Sequence, residues 1–478
     1  MKEDGMVRMG GRIHFVGIGG IGMSGIARVL LDMGYEVSGS DLKVSSFTRR
    51  LEELGARIYL GHSRENVAGA EVVVVSTAVP ADNPETVSAR EAGIPVIPRA
   101  EMLGHLMKSS FGIAVAGTHG KTTTTSIIAQ VMEKNGFDPT VVIGGEVNDI
   151  GSNAKLGKDG YLVAEADESD ASFLSLSPRI AVVTSMDTDV NLNVGRFSNH
   201  NFDLKSTQEM VRAMFLEFLE KLPPDGRAIL CLDNENIRMV LPQIKVPVLT
   251  YGFSPEADLR ATSVRMQNFH SSCRVSRHGK FLGNLRLRIP GKHNIVNALA
   301  AVAVGMELGL DFKKISRALD SFIGVQRRFQ VLGSHEGVMV VDDYAHNPVK
   351  LKAAVDAAGT GNMKRVLAVF QPHRYSRTKF LLEEFGNAFA GADVLIVTDI
   401  YSAGEDPIEG VSGKTIVEVV QSNGKKPEVI FISPKEKIVD YLLQNIREGD
   451  LVITLGAGDI HTVAENFLAR FREGQPLA

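Results

Sequence analysis

The chain has 478 residues, 44% hydrophobic and 23% charged, with a formal net charge of −4. That is the balance of a soluble globular protein with room for roughly two to four domains, and it gives no global electrostatic reason to expect nucleic acid or an anionic membrane as partner. Cys231 and Cys273 are the only cysteines, too few for a disulfide framework or a four-cysteine zinc site.

The opening MKEDGMVRMGG lacks the apolar region of a signal peptide. Runs such as Val72 to Val75 and Val394 to Val397 are far too short to span a bilayer. A reducing, cytoplasmic setting is expected. Ile13-His14-Phe15-Val16 predicts a strand, followed by a glycine-rich turn and a helical pattern from Met23 to Met33. Short β-branched runs at Glu36-Val37-Ser38, Val72 to Val75 and Pro95-Val96-Ile97 alternate with helical segments, the mark of βαβ units on a parallel sheet. Gly17, Gly19 and Gly22, with Gly20 among them, spell G-x-G-x-x-G at the first strand-to-helix turn. Glycine there lets backbone amides approach a diphosphate whose charge faces the helix N-terminus. Asp41 follows about 20 residues on, where an acid would meet a ribose hydroxyl. NAD is the obvious occupant, yet any nucleotide diphosphate satisfies the same geometry, so the choice stays open.

A second strand, glycine turn and helix begin at Gly112-Ile113-Ala114-Val115-Ala116. Gly117-Thr118-His119-Gly120-Lys121-Thr122, with Thr123 after it, is a shortened P-loop. Its amides can cradle the phosphates of ATP, Lys121 can reach the β and γ groups, and the Thr122 hydroxyl can hold Mg²⁺. The acids Glu165, Asp167, Glu168 and Asp170 follow the apolar Leu162-Val163-Ala164, where metal-binding carboxylates emerge. Glu165 is the expected ligand, with Asp167 or Glu168 helping; a solvated acidic loop is the plainer alternative. The block runs on through a strand at Ile180 to Thr184 to a helical stretch ending near Leu310. A third block, with strands at Val338 to Val341, Val366 to Phe370, Val394 to Val397 and Leu451 to Leu455, begins near Gly324. The expected architecture is α/β in three domains, residues 1–107, 108–322 and 323–478, Rossmann-like at both ends with a P-loop ATPase between.

With both loops read, a resemblance emerges. Gly17 to Ser24, the G-T-H-G-K-T loop and Glu165 to Phe173 (EADESDASF) resemble the Mur ligases, enzymes of cell-wall precursor synthesis. So do Asp342 to Pro348 (DDYAHNP), Gln371 to Thr378 (QPHRYSRT), and Asp399-Ile400-Tyr401 through Glu405. The resemblance runs from residue 13 to about 460. It implies a UDP-sugar domain, a central ATPase and a C-terminal amino-acid domain, and assigns the first loop to the UDP diphosphate. It implies UDP-N-acetylmuramate and L-alanine as substrates, the pattern at 399–405 favouring alanine, and a monomer or weak homodimer. His62 resembles a uridine-contacting position. Gly291-Lys292-His293-Asn294 with Asn297 resembles the segment over adenine, though the two asparagines also suit a cap and turn.

The implied chemistry transfers the ATP γ-phosphate to the lactyl carboxylate, after which the amine of alanine attacks the acyl phosphate. Phosphoryl transfer is mainly positioning and charge neutralisation, which falls to Lys121 and Mg²⁺. His119 is expected to orient a phosphate or the loop. Arg374 and Arg377 can bond the alanine carboxylate and the acyl phosphate, and His346 is expected to align the amine; a surface arginine pair and a core histidine are the alternatives. Arg327 and Arg328, at the start of the third block, are expected to contact ATP. The family usually carries an Asp-His pair after the strand at 180–184 whose histidine binds a second Mg²⁺. Counting from Glu165 places Val190 there, while counting back from the helix at Phe215 places His200. His200 is the expected ligand, because valine cannot bind a metal. Asn347 stands where a second histidine is common. A nicotinamide dehydrogenase would leave the P-loop unused, and a P-loop switch would leave the first loop unused.

Overall fold

Four consecutive valines can bury side chains on both faces only inside a helix-covered parallel sheet, and Val72–Val75 lies in one. The structure, a computed structural model, describes residues 11–147, 152–168, 171–187, 204–424 and 427–474. The first sheet has five parallel strands in the order Arg57–Leu60, Glu36–Asp41, Arg12–Val16, Val72–Val75 and Val96–Pro98. Chain order reverses at Arg12–Val16, so the crevice at its carboxyl end is the switch point where such sheets bind ligands. Gly17 follows directly, and the helix Ile21–Asp32 springs from that turn.

The second sheet has ten strands. Its centre runs Val248–Gly252, Arg227–Cys231, Ile180–Val183, Phe111–Ala116, Tyr161–Glu165 and Thr140–Val147, all parallel, with Ser152–Lys155 antiparallel at one edge. Leu259–Gln267, His270–Arg277 and Lys280–Leu287 extend the other edge. Those three strands carry no apolar run. Along Leu259–Gln267 buried and wetter residues alternate, the pattern of a sheet with one solvated face. The two-residue turns between them hold positive φ at Asn268 and Phe269 and at His278 and Gly279, as tight hairpin turns require.

The third sheet runs Gln330–His335, Val338–Asp343, Asp450–Leu455, Arg365–Phe370, Val394–Val397 and Glu428–Phe431, with only the first strand antiparallel. Both faces are covered. Val341, Ala368, Phe370, Leu395 and Ile453 pack into one core, and Val340, Leu367, Val369, Ile396 and Val452 into the other. Each strand therefore splits its residues by parity between two helical layers.

These three sheets make an α/β fold of three domains, mainly parallel. The chain packs as two compact units: residues 1–262 with 274–284 and 296–319, and residues 263–273 with 285–295 and 320–478. The first sheet and the parallel centre of the second share a unit, while Leu259–Gln267, His270–Arg277 and Lys280–Leu287 are each divided between the two. Among the described residues no helix is long and apolar enough to cross a membrane.

Candidate active site

Phe111–Ala116 ends at Gly117, and the helix Lys121–Lys134 starts after Gly120. Ile180–Val183 runs parallel beside it, Val183 opposite Ala116, which brings Thr184 to Asp187 alongside the turn. Thr118 N donates to Ser185 O at 3.2 Å, and Thr118 Oγ1 donates to Asp187 O at 2.8 Å while accepting Asp187 N at 2.9 Å. His119 N donates to Ser185 Oγ at 3.0 Å, and the Thr184 hydroxyl donates to His119 O. The His119 imidazole stands 3.8 Å from the Asp187 carboxylate. Burial pushes that carboxyl up, against hydrogen bonds from Asn234 and Ser185. Asp187 and Asn234 are thus loop supports that no local motif announced.

The register of Tyr161–Glu165 sets Glu165 opposite Val115. Its carboxylate accepts the Thr122 hydroxyl at 3.0 and 3.2 Å and Gly144 N at 2.8 Å. Thr122 and Glu165, expected at the metal, are therefore together. Their hard oxygen donors suit Mg²⁺. Glu168, expected with Asp167 beside the metal, holds the lysine of the loop. It receives Lys121 Nζ at 2.8 and 2.9 Å, while the same ammonium donates to Gly117 O at 2.8 Å. Burial opposes the charge on Lys121, but Glu168, Asp167 and Glu165 outweigh it and hold its pKa above the usual lysine value. Among the described residues no cluster of three His, Cys, Asp or Glu could hold a metal. His200 lies outside the described residues.

Asn297 is buried and reaches the same turn: a Cβ on Gly120 would sit 2.5 Å from its Oδ1. Thr123 is buried on the first helical turn. Asn294 belongs to the other unit, where its Nδ2 donates back to Pro290 O at 2.6 Å, and His293 beside it is exposed.

At the first loop, Gly17 N and Ile18 N donate to Ser40 O at 2.9 and 3.0 Å, and Gly20 N donates to Gly17 O at 3.2 Å. Asp41 Oδ2 accepts Gly19 N at 2.9 Å and Oδ1 accepts Lys43 N at 3.2 Å, so this acid also braces the turn. A Cβ on Gly22 would lie 2.9 Å from the Arg99 guanidinium, which stands 3.9 Å from Asp167. Arg99 is a cation at the loop that sequence spacing did not reveal. His62 Nδ1 lies 3.0 Å from Ser40 Oγ and 3.1 Å from Glu85 Oε2.

The second unit holds the remaining candidates. Arg377, buried on the helix Tyr375–Phe380, approaches His373 Nδ1 and donates to His373 O, both at 2.9 Å. The His373 ring stacks on Tyr401 at 5.5 Å and lies 6.0 Å from the His346 ring. Arg374 is 3.5 Å from Glu405, whose carboxylate accepts Ser376 N and Oγ at 3.0 and 2.7 Å. Arg374, Arg377 and His346 are thus gathered, with His373 and Glu405 as additions. Arg327 Nε donates to Asp342 at 3.0 Å and its Nη2 to Gly456 O at 2.8 Å, and both Arg327 and Arg328 lie 5.0 Å over the Tyr344 ring.

Burial lowers both histidines: His346 well below the usual value, with Lys350 and Arg377 adding to it, and His373 to about 4, helped by Arg377 and Arg374. Folded-state values below the unfolded value near 6.5 mean that the unfolded chain binds more protons in this window, so stability rises with pH. Acidifying from pH 6.5 toward 4 is expected to lower the melting temperature progressively. Calorimetric melting of His373→Gln against the parent checks this: the variant should show the shallower decline.

Three family descriptions match the chain in order: "Mur ligase family, catalytic domain" over residues 12–111, "Mur ligase middle domain" over 115–305, and "Mur ligase, glutamate ligase domain" over 327–458. The UDP-N-acetylmuramate–L-alanine ligase of Geotalea daltonii is 52% identical over 462 residues, 97% of this chain and 98% of the relative. The chain belongs to the Mur ligase family. Another similar relative of this Mur ligase is the UDP-N-acetylmuramate–L-alanine ligase of Geobacter sulfurreducens, 50% identical over 97% of this chain and 98% of its own length. Among solved structures, the UDP-N-acetylmuramate–alanine ligase of Thermotoga maritima superposes with a TM-score of 0.82 at 29% identity, over 97% of this chain and 99% of that one.

Proposed function

We propose that this Mur ligase uses ATP to join L-alanine to the lactyl carboxylate of UDP-N-acetylmuramate through an acyl phosphate, in cytoplasmic peptidoglycan precursor synthesis. The observation that carries this reading is the end-to-end identity of about one half with relatives bearing that activity in their names. We place sugar-nucleotide binding in residues 1–107, ATP binding in 108–322 and alanine binding in 323–478.

A carboxylate does not react with an amine in neutral water, so the leaving group must first be improved by phosphorylation. The turn from Gly117 to Gly120 wraps the ATP phosphates, with the backbone amides at the start of the helix Lys121–Lys134 facing them, and Lys121 neutralises the γ-phosphate as it crosses. For this Lys121 exchanges its bond to Glu168 for one to phosphate, and Glu168, already pushed up by burial, is suited to taking a proton once unpaired. Thr122 and Glu165 would hold Mg²⁺, which supplies charge neutralisation at the phosphate oxygens. Asn297 buttresses the loop through Gly120 and is assigned to adenine, as are Asn294 and His293. Gly17, Gly19, Gly20 and Gly22 receive the UDP diphosphate, with Asp41 and His62 on the nucleoside. Arg374 and Arg377 fix the alanine carboxylate and the acyl phosphate, His346 aligns the amine, and Arg327 contacts ATP.

The test is phosphate release from ATP by the purified chain with MgCl2, UDP-N-acetylmuramate and single amino acids. Release is expected only when all components are present, with alanine fastest. Release without the sugar nucleotide, or a faster amino acid, would overturn the assignment.

A further inference from the structure

A fully buried carboxylate must find strong partners, because desolvating its charge costs several kcal/mol. Glu85 is 0% exposed, and among the described residues neither lysine nor arginine pairs with it. Its neighbours come from three stretches of chain, at His14, at Ser40 and at His62 to Asn66. Ser40 Oγ donates to Oε2 at 2.5 Å, Asn66 Nδ2 donates to Oε1 at 2.6 Å, His62 Nδ1 lies 3.1 Å from Oε2, and His14 Nε2 stands 3.7 Å from Oε1. Burial would raise its pKa, but the nearby His14 imidazole and the bonds from Ser40 and Asn66 outweigh that and hold it at about 2. The group is ionised.

Two oxygens therefore face His62 Nδ1, the Glu85 carboxylate and the Ser40 hydroxyl, whose own proton is directed to Glu85. In a neutral imidazole an acceptor at one ring nitrogen fixes the proton there and leaves the other a lone-pair acceptor. His62 Nε2 has no partner among the described residues, and the side chain is 17% exposed. The ring's place in the sheet indicates what it meets. His62 follows Arg57–Leu60, which pairs with Glu36–Asp41, and Gly61 N donates to Asp41 O at 2.8 Å. In such a sheet the diphosphate lies at the turn after the first strand and the ribose at the acid ending the second, so the base extends toward the third.

We propose that Glu85 is a positioning residue that holds His62 as the hydrogen-bond acceptor for the N3–H of uracil, selecting a uridine over a cytidine nucleotide. This rests on the sugar-nucleotide reading of the first glycine turn. Uracil N3 carries a proton and cytosine N3 a lone pair, so Nε2 attracts the first and repels the second. Glu85→Gln should reverse the tautomer. Asn66 donates to Oε1, which keeps the glutamine oxygen there and turns its NH2 toward His62 Nδ1, moving the ring proton to Nε2.

Calorimetric titration of the full chain with UDP and with CDP tests this. The parent is expected to prefer UDP by at least about tenfold, a hydrogen-bond-sized discrimination. E85Q should bring the ratio to near one or invert it. It should raise the KM for UDP-N-acetylmuramate with kcat little changed, and leave ADP binding intact as proof of folding. H62Q, whose amide can turn either edge to the base, should also bring the ratio near one, and it decides the matter if E85Q does not fold. A folded E85Q with an unchanged ratio, or an H62Q with an unchanged ratio, would overturn the inference. A parent chain that binds neither UDP nor CDP would instead overturn the reading of the first turn, and this inference with it.

Discussion

Lys121→Ala is expected to lower turnover about a thousandfold, the scale of losing a charge aimed at a transferring group in a water-poor site. UDP binding should persist, because the first glycine turn is a separate site on a separate sheet. The same substitution has a second consequence. It leaves Glu168 buried without its ammonium, and breaking a buried pair costs about 3–5 kcal/mol before the carboxyl protonates in response. Melting temperature should therefore fall along with activity. The double variant Lys121→Met with Glu168→Gln separates the two effects: melting should largely recover while turnover does not. Phosphate release and thermal melting on the two proteins check this, and recovered turnover in the double variant would remove Lys121 from the chemistry.

Gly117→Ala should cut ATP affinity at least about a hundredfold, by a different route. Gly117 has φ +131°, and an added Cβ would lie 2.8 Å from Ser185 N and 3.0 Å from Ser185 O. Those are backbone atoms of the segment that receives Thr118 and His119, so they cannot swing aside as a flexible side chain would. Backbone strain of about 1–3 kcal/mol and overpacking of similar size would together displace the amides that face the phosphates. Gly34→Ala provides the comparison. Gly34 also has positive φ, +89°, but nothing lies within 4 Å of its added Cβ, so it should lose stability alone and keep its ATP affinity. Nucleotide titration of both variants distinguishes them.

Local signals carried much of the fold. Each glycine turn follows an apolar run and precedes a helical pattern, and both are strand-to-helix turns in the structure. The strands at Val72–Val75, Val394–Val397 and Asp450–Leu455 were legible because burial on both faces demands unbroken apolar runs. Leu259–Gln267, His270–Arg277 and Lys280–Leu287 were not, because alternation with Arg, Ser and Gln resembles polar loop. Their turns use Asn268-Phe269 and His278-Gly279, of which only the second includes the expected glycine.

The sequence by itself determined the chemical kind of protein: two glycine-rich strand-to-helix turns, a lysine and threonine at one of them, acids after a buried strand, and an ordered set of motifs that places the chain among the Mur ligases. Such features occupy a few adjacent residues whose spacing the backbone dictates. Only the tertiary structure decided who partners whom. Glu168 takes Lys121, Arg99 stands over Gly22, Asn297 fills the space beside Gly120, and Glu85 gathers Ser40, His62 and Asn66. These pairings join strands and helices far apart in the chain. No periodicity records them, because a buried polar group is satisfied by whatever donor the packing of distant segments brings within about 3 Å.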